Sequence, residues 1–129
     1  MAMARIMIVD DALMMRTTLR KILEIAGHEV VGEAINGEQA ILNYPKYQPD
    51  LVTMDITMPG QGGIETIKQI MAAHPGANII VVSALGQKHI VFEALQNGAK
   101  NYVLKPVRQE NLLTVIGLVL EQSGFEKAN

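Results

Sequence analysis

Polar side chains follow four short apolar runs of this sequence, and three of those side chains are carboxylates. Asp10 and Asp11 come directly after a run at residues 6–9, and Asp55 follows a run that begins at Leu51. A serine and a lysine follow two later runs. Carboxylates, a hydroxyl and an ammonium group that meet at one place can bind a cation and a phosphoryl group. The candidate residues are Asp10, Asp11, Asp55, Thr57, Ser83 and Lys105.

The apolar runs predict the elements that position these residues. The runs are rich in Val and Ile and show no polar alternation, which is typical of strands buried on both faces of a parallel sheet. The segments between them have helical periodicity and are long enough for crossovers. We therefore expect an α/β fold with helices on both faces of the sheet. The runs lie at residues 6–9, 30–31, 51–54, 79–82 and 102–104.

The helices are expected to begin and end at recognisable residues. Asn36 can cap the second helix, with Gln39 three residues later. Pro45 predicts that this helix ends near Asn43, because the residue before a proline avoids the helical region. The three histidines follow no ligand spacing, and we expect them at the surface. The predicted helices cover residues 12–26, 36–43, 64–74, 87–97 and 109–122.

Length and composition restrict the class of protein. The chain has 129 residues, which corresponds to one domain, and 49% of them are hydrophobic. The absence of cysteine excludes disulfides and thiolate metal sites. With 11 basic and 13 acidic residues there is no basic excess of the kind that nucleic-acid binding requires. No apolar run is long enough to span a membrane, so we expect a cytoplasmic domain over residues 1–123 and a frayed tail over 124–129.

The carboxylates of the strand ends predict phosphoryl chemistry. Ligands of open parallel sheets bind beyond the carboxyl ends of the strands, where Asp10, Asp11 and Asp55 would meet. Because three carboxylates repel one another, either they bind a cation or one of them takes up a proton. Mg²⁺, with its preference for oxygen ligands, is the natural cation. Mg²⁺ commonly bridges carboxylates to a phosphate, and Lys105 and Ser83 could donate to the phosphoryl oxygens.

The motifs resemble the receiver domain of two-component response regulators. The similar segments are IVDD at residues 8–11, DITMPG at 55–60 with Gly63, VSA at 82–84, GAK at 98–100 and KP at 105–106. The resemblance covers residues 4–122, and residues 52–59 and 83–87 are most similar to the stand-alone, CheY-like chemotaxis regulators. It implies a single doubly wound, flavodoxin-like domain with five helices and a five-stranded parallel sheet in the order 2-1-3-4-5.

The resemblance also implies the roles of the acidic residues. Asp55 would accept a phosphoryl group from the phosphohistidine of a sensor histidine kinase, CheA-like in a chemotaxis system. Asp11, Asp55 and the backbone carbonyl of Thr57 would hold Mg²⁺, and Asp10 would contact the ion through water. Lys105 would pair with Asp55. The peptide bond between Lys105 and Pro106 is typically cis in the family.

Further residues would transmit the phosphorylated state. Ser83 and Tyr102 occupy the switch positions of the family. The output face would consist of the fourth helix, the fifth strand and the fifth helix, where we expect Leu118 to form an apolar patch with Val115 and Tyr102. Leu85 lies where the family positions the attacking water, and its side chain cannot hydrogen-bond that water.

Three other functions remain open at this point. The chain could be a receiver excised from a larger regulator with a DNA-binding or enzymatic effector domain. It could be a small Mg²⁺-dependent phosphatase, although such enzymes usually carry Asp-x-Asp near the first strand, or a purely structural domain. The favoured interpretation is a signalling switch without catalytic turnover of a separate substrate. Its partners would be the kinase, an output protein such as the flagellar motor switch and a possible phosphatase, with no direct contact to nucleic acid.

Overall fold

Strands and helices alternate along the whole of the described chain. The computed structural model describes residues 3–57, 62–84 and 86–125. The last helix has the predicted bounds, and the first and fourth are one residue shorter at each end than predicted. The strands are β1 (Arg5–Val9), β2 (Glu29–Ala34), β3 (Leu51–Asp55), β4 (Ile79–Ser83) and β5 (Asn101–Leu104); the helices are α1 (Leu13–Ile25), α2 (Gly37–Tyr47), α3 (Gly63–Ala73), α4 (Lys88–Gln96) and α5 (Gln109–Gln122).

The five strands form one parallel sheet in the order β2-β1-β3-β4-β5, which confirms the predicted fold. In β3 and β4 every residue is buried, as the continuous apolar runs indicate for strands covered on both faces. The strands β2 and β5 lie at the edges and are only partly buried. The central strands therefore provide the rigid part of the sheet, and β1 and β3 are direct neighbours in it.

Two apolar clusters cover the two faces of the sheet. Because successive strand residues point to opposite faces, Ile6 and Ile8 belong to one cluster and Met7 and Val9 to the other. The first cluster also contains buried residues of α1 and α5, and the second those of α2, α3 and α4. Within the described residues, no helix combines the length and the apolar character needed to cross a bilayer.

The second helix passes through Pro45, so the predicted end near Asn43 is wrong. Asn36 does cap the helix by accepting a hydrogen bond from the Gln39 amide, as predicted, but α2 continues to Tyr47. Two tyrosine contacts explain the continuation. Tyr44 is buried in the core, and the ring of Tyr47 packs against Gly32 of β2. This packing outweighs the helix-breaking effect of a proline, which here lies within the last turn.

All three histidines lie at least partly at the surface, as expected, but their environments differ. His28 is half-buried, and its Nδ1 accepts a hydrogen bond of 3.0 Å from the Ala4 amide. Burial lowers the pKa of this imidazole. The ring of His74 packs against that of Tyr44, with 4.6 Å between centroids. His89 is exposed.

Gly124 and Phe125, which fall in the predicted tail, make hydrogen bonds to α5. The amide of Gly124 donates to the Glu121 carbonyl, and that of Phe125 donates to the Leu120 carbonyl. The Phe125 ring packs against the cluster that contains α1 and α5. These two residues therefore belong to the domain, and residues 126–129 lie outside the described part of the chain.

Gly63 allows α3 to approach the residue that follows Asp55. A Cβ atom at Gly63 would lie 2.5 Å from the Cα of Ile56, whereas a Cβ atom at Gly62 would meet nothing within 4 Å. We expect Gly63→Ala to lower the free energy of unfolding by about 1–3 kcal/mol, because backbone atoms must shift to relieve the overlap. Urea denaturation measures the change. Gly62→Ala is the matched control and should stay within about 0.5 kcal/mol of the wild type; equal losses in both variants would contradict the close-approach argument.

Candidate functional site

Three carboxylates meet beyond the ends of β1 and β3. Asp10 follows β1 directly, and Asp55 is the last residue of the neighbouring strand β3. One carboxylate oxygen from each of Asp10, Asp11 and Asp55 lies within 4.8 Å of the others. Asp10 and Asp55 are buried, whereas Asp11 is exposed. The structure thus brings together the acidic cluster that the strand ends predicted.

Local hydrogen bonds fix one oxygen of each buried carboxylate. The Ala12 amide donates to Asp10 Oδ1 at 2.9 Å. The amide and the hydroxyl of Thr57 both donate to Asp55 Oδ1, at 3.0 and 2.8 Å. The second oxygen of each carboxylate is free of these bonds. The start of α1 and the turn after β3 therefore set the orientation of the two acids.

Lys105 supplies the positive charge of the site. Its Nζ lies 3.5 Å from Asp55 Oδ2 and 3.8 Å from Asp10 Oδ2, so it forms loose ion pairs with both acids. The residue directly follows β5, and its amide donates to the Ser83 carbonyl at 2.7 Å. The Lys105–Pro106 peptide bond is cis, as the resemblance implied. Because β4 lies between β3 and β5, the Lys105 side chain reaches across the end of β4 to the acids.

The Asp10 carboxyl lacks sufficient compensation for its burial. Burial raises its pKa, and the neighbouring negative charge of Asp55 raises it further. The hydrogen bond from Ala12 and the charge of Lys105 act in the opposite direction. Even so, Asp10 Oδ2 has no hydrogen-bond partner among the described residues. A buried anionic oxygen in this state is typical of a site that binds a further cation.

The residues fit a hard divalent cation. Three carboxylates beside one ammonium group carry two excess negative charges, which a divalent ion would balance. All the available donors are oxygens, the ligands that Mg²⁺ prefers. Asp10, Asp11 and Asp55 are the side chains that could hold it. The exposure of Asp11 leaves one side of the cluster open to solvent.

Ser83 lies at the end of β4 and is completely buried. Its hydroxyl donates to Gln87 Oε1 at 2.9 Å and also lies 3.1 Å from the Ala84 carbonyl. Gln87 is not among the site residues predicted from the sequence. The available signal was weak, because glutamine is not a favoured residue at the start of a helix.

Tyr102 lies on the edge strand β5, with 43% of its surface exposed. It lines a cavity of about 270 Å³ between α4 and β5 together with Phe92, Leu95 and Leu104. Phe92 is 62% exposed and was also missed by the sequence analysis. Its position on the outer side of an amphipathic helix becomes evident only when the neighbouring strand is known.

The apolar patch expected on the fifth helix does not include Val115. This residue is 8% exposed and belongs to the core, where it packs with Ile116 and Val119. The prediction was wrong because the buried face of α5 is wider than the helical spacing suggested. Leu118 is 45% exposed, as expected, but it lines a groove beside α1 with Ile25 rather than the Tyr102 cavity.

Two parts of the family motif lie outside the described residues. The segment 58–61 contains the Met-Pro-Gly sequence that follows the acidic strand end, and Leu85 is the second part. The expected role of Leu85 beside the phosphoryl group therefore remains a prediction.

Sequence comparisons agree with the geometry of the site. Residues 6–117 match the family model described as the response regulator receiver domain. The chain is 48% identical over 115 residues to the chemotaxis protein CheY of Thermotoga maritima, covering 89% of this chain and 96% of the relative. It is 47% identical over 116 residues to the chemotaxis protein CheY of Bacillus subtilis, covering 90% and 97%.

A solved structure shares both the fold and part of the sequence. The CheX–CheY–BeF3–Mg²⁺ complex of Borrelia burgdorferi matches with a TM-score of 0.86 and 33% identity, covering 90% of this chain and 88% of that chain. The strand order, the acidic cluster with its lysine, and the family match over most of the sequence lead to one assignment. The chain belongs to the response regulator receiver family and is CheY-like.

Proposed function

We propose that this protein is a phosphorylation-activated switch in which Asp55 accepts a phosphoryl group from the phosphohistidine of a sensor histidine kinase. The observation that carries the proposal is the position of Asp55. It is buried at a strand end between two further carboxylates and Lys105. One of its oxygens is fixed by Thr57, and the other faces the lysine.

The proposed transfer forms a bond between an Asp55 oxygen and phosphorus while the bond from phosphorus to the kinase imidazole breaks. Negative charge accumulates on the equatorial phosphoryl oxygens in such a transfer. Lys105 and the Ser83 hydroxyl would donate to those oxygens. Preorganised donors of this kind stabilise the transition state because they need not reorient during the reaction.

Mg²⁺ is the proposed cofactor of the transfer. Asp11, Asp55 and the Thr57 carbonyl would hold the ion directly, and Asp10 would contact it through a water molecule. The ion would neutralise charge on the transferred group and so complement Lys105. Asp10 Oδ2 is buried and has no hydrogen-bond partner in the described part of the chain, and the pKa of this carboxyl is raised; both observations support a cation beside Asp10.

The phosphorylated state would be transmitted through Ser83 and Tyr102. The Ser83 hydroxyl would turn toward the phosphoryl group, and Tyr102 would move inward from its exposed position on β5. The surface formed by α4, β5 and α5 would change with them. This is a two-state equilibrium that phosphorylation biases, and no separate substrate is turned over.

Chemotaxis is the proposed pathway, in the cytoplasm, because the relatives at 47–48% identity are named chemotaxis proteins. The phosphoryl donor would be a CheA-like kinase, and the output partner a component such as the flagellar motor switch. A phosphatase is a further proposed partner. The Borrelia burgdorferi complex, in which a CheY is bound by a second protein, supports such an interaction.

Asp55→Asn should abolish phosphorylation, because the amide cannot act as the nucleophile. Incubation with acetyl phosphate and Mg²⁺ followed by intact-mass measurement should show one added phosphoryl group in the wild type and none in the variant. Asp50→Asn is a suitable control, since Asp50 is the one aspartate of this sequence outside the cluster. Phosphorylation that persists in Asp55→Asn would exclude Asp55 as the acceptor.

Asp11→Asn should weaken Mg²⁺ binding at least tenfold, and Asp10→Asn only a few-fold. A direct ligand to a hard ion costs more to remove than one that acts through water. Calorimetric titration with MgCl2 measures both affinities, and circular dichroism checks that each variant is folded. A greater loss in Asp10→Asn than in Asp11→Asn would reverse the proposed ligand assignment.

Binding of the output partner should depend strongly on Phe92 and less on Leu118. Phe92 borders the cavity that contains Tyr102, whereas Leu118 lies on the α1 side of α5. We expect Phe92→Ser to weaken binding of the phosphorylated protein to the flagellar switch component of its own genome by at least tenfold, and Leu118→Lys by a few-fold. Surface plasmon resonance measures both. As a control, each variant should be phosphorylated by acetyl phosphate as fully as the wild type. Unchanged binding of phosphorylated Phe92→Ser would contradict the proposed role of Phe92.

A further inference from the structure

The side chain of Gln87 ties the end of β4 to the start of α4. Its Oε1 accepts a hydrogen bond from the buried Ser83 hydroxyl at 2.9 Å and another from the Ala84 amide at 3.1 Å. Ser83 is the residue that the proposed function assigns to phosphoryl recognition. Within the described residues, the hydrogen bonds of its hydroxyl are directed to Gln87 and to the Ala84 carbonyl, and not to Asp55.

The backbone of Gln87 also begins the fourth helix. Its carbonyl accepts hydrogen bonds from the amides of Ile90 and Val91 at 3.1 and 3.0 Å. Gln87 is the N-cap residue of α4, yet its side chain does not cap the helix amides. The side chain turns back to the strand end instead. One residue therefore connects the Ser83 hydroxyl to the position of the helix.

We propose that Gln87 is a positioning residue that holds the Ser83 hydroxyl in the unphosphorylated state and must release it when Asp55 is phosphorylated. The proposal rests on the function proposed above. A serine hydroxyl has one proton and can donate to one acceptor at full strength. The Gln87 amide oxygen and a phosphoryl oxygen therefore compete for the same donor.

When Gln87 releases the Ser83 hydroxyl, the N-cap residue of α4 loses its side-chain hydrogen bond to β4. Gln87 lines the cavity between α4 and β5 together with Tyr102 and Phe92. When its side chain loses the Ser83 bond, the start of α4 loses a link to β4. The competition at Ser83 would thus change the shape of the cavity at which we place the output partner.

Loss of the Gln87 side chain should favour the phosphorylated conformation. A typical intramolecular hydrogen bond contributes on the order of 1 kcal/mol, which corresponds to about fivefold in an equilibrium constant. The Ala84 carbonyl remains as a weaker acceptor for Ser83, so the effect should be about three- to fivefold. Gln87→Glu keeps an acceptor oxygen and should not show this gain.

The first experiment measures the affinity for BeF3⁻ in the presence of Mg²⁺, with BeF3⁻ as a mimic of the phosphoryl group. Bound and free ligand are followed by ¹⁹F NMR. We expect Gln87→Ala to bind about three- to fivefold more tightly than the wild type. Gln96→Ala is the matched control, because Gln96 is an exposed glutamine at the other end of α4. An unchanged or weakened affinity in Gln87→Ala would overturn the proposal, and so would an equal gain in Gln96→Ala.

The second experiment asks whether the effect passes through the Ser83 hydroxyl. In a Ser83→Ala background the competition cannot occur, so Gln87→Ala should then leave the BeF3⁻ affinity unchanged. A gain that persists in this background would assign the effect to something other than the Ser83 bond and would overturn the proposal.

The third experiment tests the contact without phosphorylation chemistry. Amide hydrogen exchange at Ala84 should accelerate at least threefold in Gln87→Ala, because the Ala84 amide loses its acceptor. Unchanged exchange would show that Gln87 does not hold the strand end. If exchange at Ala84 accelerates in Gln87→Ala but the wild-type protein binds no BeF3⁻, the proposed phosphoryl site is refuted, and with it the competition.

Discussion

Repulsion among three carboxylates at the ends of β1 and β3 is the constraint on which the rest of the site depends. The fold forces these groups together, because two of them end adjacent strands of a parallel sheet. A single lysine at 3.5–3.8 Å does not balance them, and Asp10 keeps an oxygen without a hydrogen-bond partner among the described residues. Such an arrangement costs folding energy that a structural domain would have no reason to carry. The proposed binding of Mg²⁺ and a phosphoryl group would give the arrangement its use.

Much of this could be predicted from the sequence, because the strand signal and the chemistry coincide. The continuous apolar runs identify the strands, and the rule that strand ends meet at one edge brings Asp10, Asp55 and Lys105 together. Predictions were less accurate where tertiary packing overrides a local preference. Pro45 lies inside a helix because the neighbouring tyrosines are anchored, and Val115 is buried because α5 contacts the core over a wide face.

The contacts that sequence reasoning missed involve side chains without a distinctive pattern. A glutamine at the start of a helix predicts little, because glutamine is found in most helical and loop positions. Its hydrogen bond to Ser83 depends on the path of the chain between β4 and α4, which no spacing rule fixes. The same holds for Phe92, whose exposure gains meaning only beside Tyr102 and the cavity between them. Residues that would bind the cation or the phosphoryl group are thus easier to predict than residues that hold those side chains in place.

The sheet divides the site into a stiff part and a compliant part. The acids lie at the ends of β1 and β3, which are each paired on both sides, whereas Tyr102 lies on the edge strand β5 and Lys105 directly follows it. The strand β5 pairs only with β4. Small displacements of an edge strand break no central hydrogen bonds and therefore cost little. The acidic cluster can then stay in place while the Lys105 ammonium group and the Tyr102 ring move. In the proposed switch, phosphorylation at the rigid centre would be converted into motion at the margin, where another protein could detect it.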